Sequence, residues 1–179
     1  FVDDDQFVEV QSKIIGNYNF NNIQTAIAIG RYFNVPASKI KEAIESYLPT
    51  NNRSQIIKKD SNTFILDAYN ANPSSMREAL NNLAKVEGSY KIAILGDMLE
   101  LGDYSQKEHE TLLEHAKKLN FDQLILIGKE FEKAKDNTLN HLHFPKMEAL
   151  KNWYSKQTFQ NTTSLIKGSR GLKLEQLLD

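Results

Sequence analysis

Phe64-Ile65-Leu66-Asp67-Ala68-Tyr69-Asn70-Ala71-Asn72-Pro73 is a short apolar run, a polar turn and a helix start in ten residues. The apolar run has the length of a buried strand end, and Asn72-Pro73 sets a capping side chain before a first-turn proline, which predicts a helix over 73–86. The same rhythm repeats downstream. Apolar runs at Ile92 to Leu95, Leu124 to Ile127, weakly at Leu142 to Phe144, and at Ser164 to Ile166 alternate with amphipathic stretches at 105–119, 130–136, 146–157 and 171–178. Ser105-x-x-Glu108 reads as a capping box at the start of the second helix. Short buried strands joined by helices predict an α/β fold with a mostly parallel sheet and helices on both faces. In such sheets ligands gather at the carboxyl ends of the strands, so the loops after residues 66, 95, 127 and 166 are where chemistry is expected.

Upstream the pattern differs. Residues 7–15 alternate apolar with polar before Gly16 and read as a strand; apolar spacing then predicts helices over 19–33 and from Val35-Pro36 to Tyr47. Pro49-Thr50-Asn51-Asn52 breaks the pattern, and a domain boundary is placed there, giving 1–49 and 50–179.

Composition narrows the function. Of 179 residues, 40% are hydrophobic and 25% charged, which suits a folded core. Twenty-two basic against 23 acidic residues leave a charge of −1, so no nucleic-acid footprint is expected. With no cysteine there is no disulfide framework, thiolate metal site or thiol nucleophile. No apolar run approaches the roughly 18 residues of a membrane helix, so no membrane insertion is expected. The chain opens on Phe1 inside a strand-like pattern, as if part of a longer protein.

Three strand-exit loops are unusually polar: Asp67 to Pro73, Gly96-Asp97-Met98-Leu99-Glu100-Leu101-Gly102, and Lys167-Gly168-Ser169-Arg170-Gly171. Taken alone, the first is a helix cap or a site. Asp97 and Glu100 are a solvated turn or a carboxylate pair. The third lacks the G-x-x-x-x-G-K-[ST] order, and reads as a basic helix start or an anion site. His109 is expected on the surface of the helix opened by Ser105 and is the weak candidate for a catalytic role; His115, His141 and His143 have no metal-ligand spacing, so no metal site is assigned. Asn19 and Asn22, three apart at a helix start, share a face, and their amides match the N6 and N7 edge of adenine.

Together these motifs carry a resemblance. Gly16-x-x-Asn19-x-x-Asn22, Asn52-Arg53, Asp67-x-Tyr69-Asn70-Ala71-Asn72-Pro73, Gly96-Asp97-Met98-x-Glu100-Leu101-Gly102 with His109 behind it, and Lys167-Gly168-Ser169-Arg170 occur in this order, and the chain closely resembles the C-terminal part of the Mur ligases. The resemblance implies that 1–49 is the tail of a central ATP-binding domain and 50–179 a Rossmann-like third domain. It implies a cytoplasmic, bacterial, ATP- and Mg-dependent ligase of peptidoglycan synthesis, expected as a monomer. ATP would phosphorylate the carboxylate of UDP-N-acetylmuramoyl-tripeptide, and the amine of D-alanyl-D-alanine would attack the acyl phosphate. Asn19 and Asn22 then match asparagines at the adenine; Arg53 matches an arginine near the phosphates and ribose, and Asp67 an aspartate on the ribose hydroxyls. Tyr18 stands where the family often has His. Tyr69, Asn70, Asn72, Asp97, Glu100, Lys129, Ser169 and Arg170 match loops around the incoming amino acid or dipeptide. This chain, without a phosphate loop, is expected to be inactive alone. The rival reading is a stand-alone Rossmann-like module that binds a nucleotide or partner; a folylpolyglutamate synthetase relative would share the architecture but would not be expected to carry Tyr69-Asn70-Ala71-Asn72-Pro73.

Overall fold

A computed structural model describes residues 1–3, 6–14, 16, 18–87, 90–134 and 139–179. Ile15 at the expected strand end, Asn17 within the Gly16-x-x-Asn19 stretch, the side chain of Tyr18 and the last two residues of the helix expected over 130–136 lie outside the described residues. The chain divides into two compact units, Phe1–Thr50 and Asn51–Asp179.

In the first unit, β1 (Val2–Asp3) and β2 (Gln6–Phe7) form a two-residue antiparallel pair, followed by α1 (Tyr18–Tyr32) and α2 (Ala37–Ser46). Ile40 and Ile44, one turn apart on α2, are buried. Ile40 packs so closely on α1 that a Cβ added at Gly30 would meet it at 3.0 Å. Of the strand expected over 7–15, Val8 still exchanges backbone hydrogen bonds with Phe1, but 9–14 form no strand: Gln11 N–H donates to Glu45 Oε1 and Ile14 N–H to Ser12 Oγ. Alternation gives a segment two faces, but a strand also needs a neighbour's backbone. Phe20, Ile29, Tyr32 and Phe33 are exposed.

The second unit is a six-stranded sheet made of β3 (Gln55–Lys59), β4 (Asn62–Asp67), β5 (Tyr90–Gly96), β6 (Gln123–Ile127), β7 (Leu142–Phe144) and β8 (Thr162–Lys167). The order is β3-β4-β8-β5-β6-β7, with every pairing parallel except that of β3 with β4. Strand alternation sorts the core. Ile65, Ala93, Leu95, Leu124, Leu126 and Leu165 join one cluster with α3 (Pro73–Ala84), α4 (Ser105–Lys117) and α5 (Lys129–Ala134); Phe64, Leu66, Ile92, Ile94, Ile125, Ile127 and Ile166 join another with Leu150 of α6 (Met147–Tyr154). Each fully buried Leu or Ile contributes about 1.5–3 kcal/mol, so these two layers dominate the unit's stability. Trp153 of α6 lies 5.5 Å, ring to ring, from Phe144 of β7 and 6.4 Å from Phe159.

The helix expected over 171–178 is instead two 3-10 turns, Arg170–Leu172 and Leu174–Leu177. Lys173 between them takes φ 52° and ψ 46°, a left-handed conformation that interrupts helical bonding, yet Leu174 and Leu177 still reach the core. β3 was not expected, because its edge position leaves Ile56 exposed and its alternation weak. Since β8 lies between β4 and β5, the exits of these strands end side by side.

Candidate functional site

Asp67 and Lys167 are the last residues of β4 and β8 and face each other in the parallel register. Lys167 is buried, and its Nζ donates to Asp67 Oδ2 at 2.5 Å and to the Asn70 carbonyl at 3.2 Å. Asp67 Oδ1 accepts the Ser54 N–H at 3.0 Å. A buried ion pair holds only when further hydrogen bonds offset desolvation, and these supply them. Lys167, read from sequence within a basic loop, is thus taken up inside the fold. The overlooked signal was a lysine ending a buried strand in register with an aspartate.

One residue beyond Ala68, Tyr69 carries two cations. The Arg53 guanidinium lies 3.8 Å from the ring centroid and that of Arg170 5.1 Å from it. Cations over an aromatic face are attracted by its quadrupole, so the ring holds together two charges that would otherwise repel. Hydrogen bonding to Arg53, then the charges of Arg53 and Arg170, draw the Tyr69 phenol below its ordinary range. Arg53, Asn70 and Arg170 are exposed here.

The β5 exit is built differently. Asp97 is buried, and its two oxygens accept the N–H groups of Glu130 and Phe131 at 3.0 Å each, at the start of α5. Helix N-terminal N–H groups have no partner within the helix, and the carboxylate supplies one. Gly128 makes room for it: φ is +116° and an added Cβ would lie 2.2 Å from Asp97 Oδ2. The expected solvated turn or carboxylate pair with Glu100 is therefore corrected, since Asp97 is enclosed while Glu100 is exposed with φ +69°. Ser169 stitches this loop to the β8 exit, donating its N–H to the Asp97 carbonyl and accepting the Leu99 N–H on Oγ at 2.9 Å.

Two other expectations change. His109 is fully buried, not on the surface, so it cannot act on a ligand in solvent. Ser105 is the first residue of α4 and caps nothing; a 3-10 turn at Gly102–Tyr104 precedes it, and its Oγ donates to Glu130 Oε2 at 2.9 Å. Hydrogen bonds from Lys133 and Ser105 hold the Glu130 carboxyl below its ordinary range.

The structure thus brings together Arg53, Asp67, Tyr69, Asn70, Ser169 and Arg170, with Asp97 joined through Ser169. Asn72, expected at the ligand, caps α3: its Oδ1 accepts the Ser75 N–H at 2.9 Å. Lys129 is exposed at the start of α5. Asn19 and Asn22 belong to the first unit, where the Asn22 amide donates to Asn19 Oδ1 at 3.1 Å. Among the described residues no group of three or more His, Asp or Glu side chains is placed to hold a metal, and no helix is long and apolar enough to cross a membrane.

Residues 52–170 match the family profile of the Mur ligase, glutamate ligase domain. The chain belongs to the Mur ligase family. This Mur ligase chain is 31% identical over 173 residues to UDP-N-acetylmuramoyl-tripeptide–D-alanyl-D-alanine ligase of Bacillus subtilis, covering 92% of this chain and 38% of that one. It is 30% identical over 176 residues to the Escherichia coli K12 ligase of the same name, covering 96% and 38%. A UDP-N-acetylmuramoylalanyl-D-glutamyl-2,6-diaminopimelate–D-alanyl-D-alanyl ligase structure from Acinetobacter baumannii superposes with a TM-score of 0.82 at 29% identity, covering 94% of this chain and 37% of that one. The Mur ligase chain therefore spans about 38% of the length of the curated relatives it matches.

Proposed function

We propose that this chain is the carboxy-terminal portion of an ATP-dependent ligase that joins D-alanyl-D-alanine to UDP-N-acetylmuramoyl-tripeptide in bacterial peptidoglycan synthesis. The observation that carries the reading is the pair of arginines on Tyr69 at the exits of the central strands. A dipeptide zwitterion needs its carboxylate held by a cation while its amine stays free, and the planar fork of Arg170 suits that task. Within the second unit Arg53 suits the phosphates and ribose of a nucleotide, while Asp67, its oxygens held by Lys167 and the Ser54 N–H, supports that side as part of the frame; within the first unit the amides of Asn19 and Asn22 are of the kind that reads adenine. The first unit is then the tail of the central ATP-binding domain. The tripeptide carboxylate attacks the γ-phosphorus and ADP leaves; the amine attacks the acyl phosphate carbonyl and phosphate leaves. Cations close to the transferring phosphoryl group stabilise its charge. Magnesium would act there, but the described residues form no cluster that fits it. Glu100, Lys129, Tyr69, Asn70 and Ser169 shape the dipeptide side, while Asp97 and Asn72 act through the helices they cap. A UDP-linked acceptor and ATP as co-substrate suit a cytoplasmic reaction, and this chain alone is expected to be inactive.

In the full-length ligase, Arg170→Ala should raise the KM for D-alanyl-D-alanine about 10- to 150-fold, the equivalent of roughly 1.5–3 kcal/mol for a lost charge-assisted bond. The KM for ATP should stay within about twofold. Should both constants hold, the carboxylate belongs to Lys129 or to backbone amides. Tight ATP binding by the 179-residue chain in calorimetry would instead favour a free-standing nucleotide-binding module.

A further inference from the structure

His109 has no exposed surface, and the assigned chemistry does not use it, yet both its ring nitrogens are engaged by groups whose roles are fixed. Nδ1 lies 2.7 Å from the Ser105 carbonyl, which can only accept, and 3.5 Å from Ser105 Oγ, whose hydrogen is given to Glu130 Oε2 and which is thereby left as an acceptor towards the ring. Nε2 lies 3.0 Å from the Met98 N–H, which can only donate. The proton therefore sits on Nδ1 and Nε2 is bare, which describes one neutral tautomer. The ring stands edge-on to Phe131 at 4.7 Å between centroids, and Asp97 Oδ1 lies 3.9 Å from Nε2. Glu130 approaches from α5 through Ser105 Oγ.

Met98 opens the loop between Asp97 and Glu100. Its neighbours are already held, Asp97 by the α5 N–H groups and Leu99 by Ser169 Oγ, so the His109 bond completes a run of three anchored residues. Past them the chain turns at Glu100 with φ +69°. Through Ser169 the same loop is tied to the residue before Arg170.

We propose that His109 is a positioning residue: as the neutral Nδ1–H tautomer it holds the Met98 amide, and so fixes the Asp97–Glu100 loop and the Ser169–Arg170 exit in the shape the substrate meets. That the substrate is a dipeptide rests on the function proposed above; the hold on the loop does not. Replacement without an acceptor, or protonation at Nε2, leaves the buried Met98 N–H without its partner.

The test combines nitrogen-resolved NMR of the 179-residue chain with two variants. The wild-type His109 ring should show Nδ1 protonated and Nε2 bare; an Nε2–H tautomer or an imidazolium at neutral pH overturns the proposal without any mutation. His109→Leu keeps much of the volume but removes the acceptor, and should speed hydrogen exchange at Met98 by about tenfold, the scale of one lost hydrogen bond. The amides of Ile94 and Ile125 should be unchanged. His109→Gln places an amide oxygen near the old Nε2 and should restore slow exchange. Unchanged exchange in His109→Leu, or equal acceleration at Ile94 and Ile125, overturns it. In the full-length ligase the KM for D-alanyl-D-alanine should rise in His109→Leu and recover in His109→Gln. If the exchange results hold while this KM does not move, the loop's assignment to the dipeptide fails and the positioning role stands.

Discussion

Two aspartates leave the sheet close together, Asp67 from β4 and Asp97 from β5, and each is enclosed by different means. Asp67 meets a charged side chain from another strand, Lys167, with one backbone N–H on its second oxygen. Asp97 meets only backbone donors at its carboxylate oxygens, the first N–H groups of α5. The first arrangement depends on a partner that mutation can remove, leaving a buried charge behind. The second depends on helix geometry, so among side-chain changes it is most exposed at Asp97 and at the glycine that makes space for it. Arg53 and Arg170 gather beside the first exit, whereas the second serves mainly to set the shape of a loop.

The largest effect should come from separating the ion pair. Lys167→Met should lower unfolding free energy by about 3–5 kcal/mol, because it strands Asp67 without its counter-charge. Asp67→Leu combined with Lys167→Met should recover most of that loss in urea titrations; if the double variant is no better than the single one, the pair is not the source of the penalty. At the other exit Asp97→Ala should cost less, about 1–3 kcal/mol, by leaving two helix N–H groups unsatisfied. Gly128→Ala should cost about 1–3 kcal/mol through its left-handed backbone and its collision with Asp97. The sharper measurement is the double variant. Without the Asp97 side chain the added methyl has room, so the double variant should lose less than the sum of the two single losses; strict additivity would mean the two residues do not compete for the same space. The smallest effect lies away from both aspartates. Burial pushes the Tyr154 phenol up to about 12 from 10.0, so the folded state keeps a proton that the unfolded state releases. The Tyr154 contribution to stability should be constant below about pH 10 and be lost as pH rises from about 10 towards 12. The difference in this slope between wild type and Tyr154→Phe should be the same when both are compared in the Asp97→Ala background.

The sheet was legible because its strands are short, buried on both faces and separated by helices with local signals, of which Asn72-Pro73 is the clearest: Asn72 caps α3 and Pro73 begins it. Features that depend on distant partners were not. Ser105 has the sequence of a capping residue, but the preceding 3-10 turn places it inside the helix, and its hydroxyl serves Glu130, 25 residues away. His109 follows it by four residues and looks like a surface position until the β5 loop folds over it. Residues 9–14 continue the alternation yet form no strand, because periodicity sets side-chain faces and not the neighbour. At the site, the loops were found from strand exits alone, but the division of labour within them was not. Spacing cannot show that Asp97 faces a helix end while Arg170 faces Tyr69.

Trp153 is the only tryptophan of the chain, and its indole sits among Phe144, Tyr154 and Phe159 at the β7 edge. Its emission is thus a built-in optical gauge of one region. Excited selectively, it reports whether α6 still rests on β7 in the second unit. Edge strands with three residues, such as β7, release early in local unfolding. Fluorescence should therefore fade before circular dichroism registers loss of the central strands, and the lag between the two signals would read out the order in which the sheet comes apart.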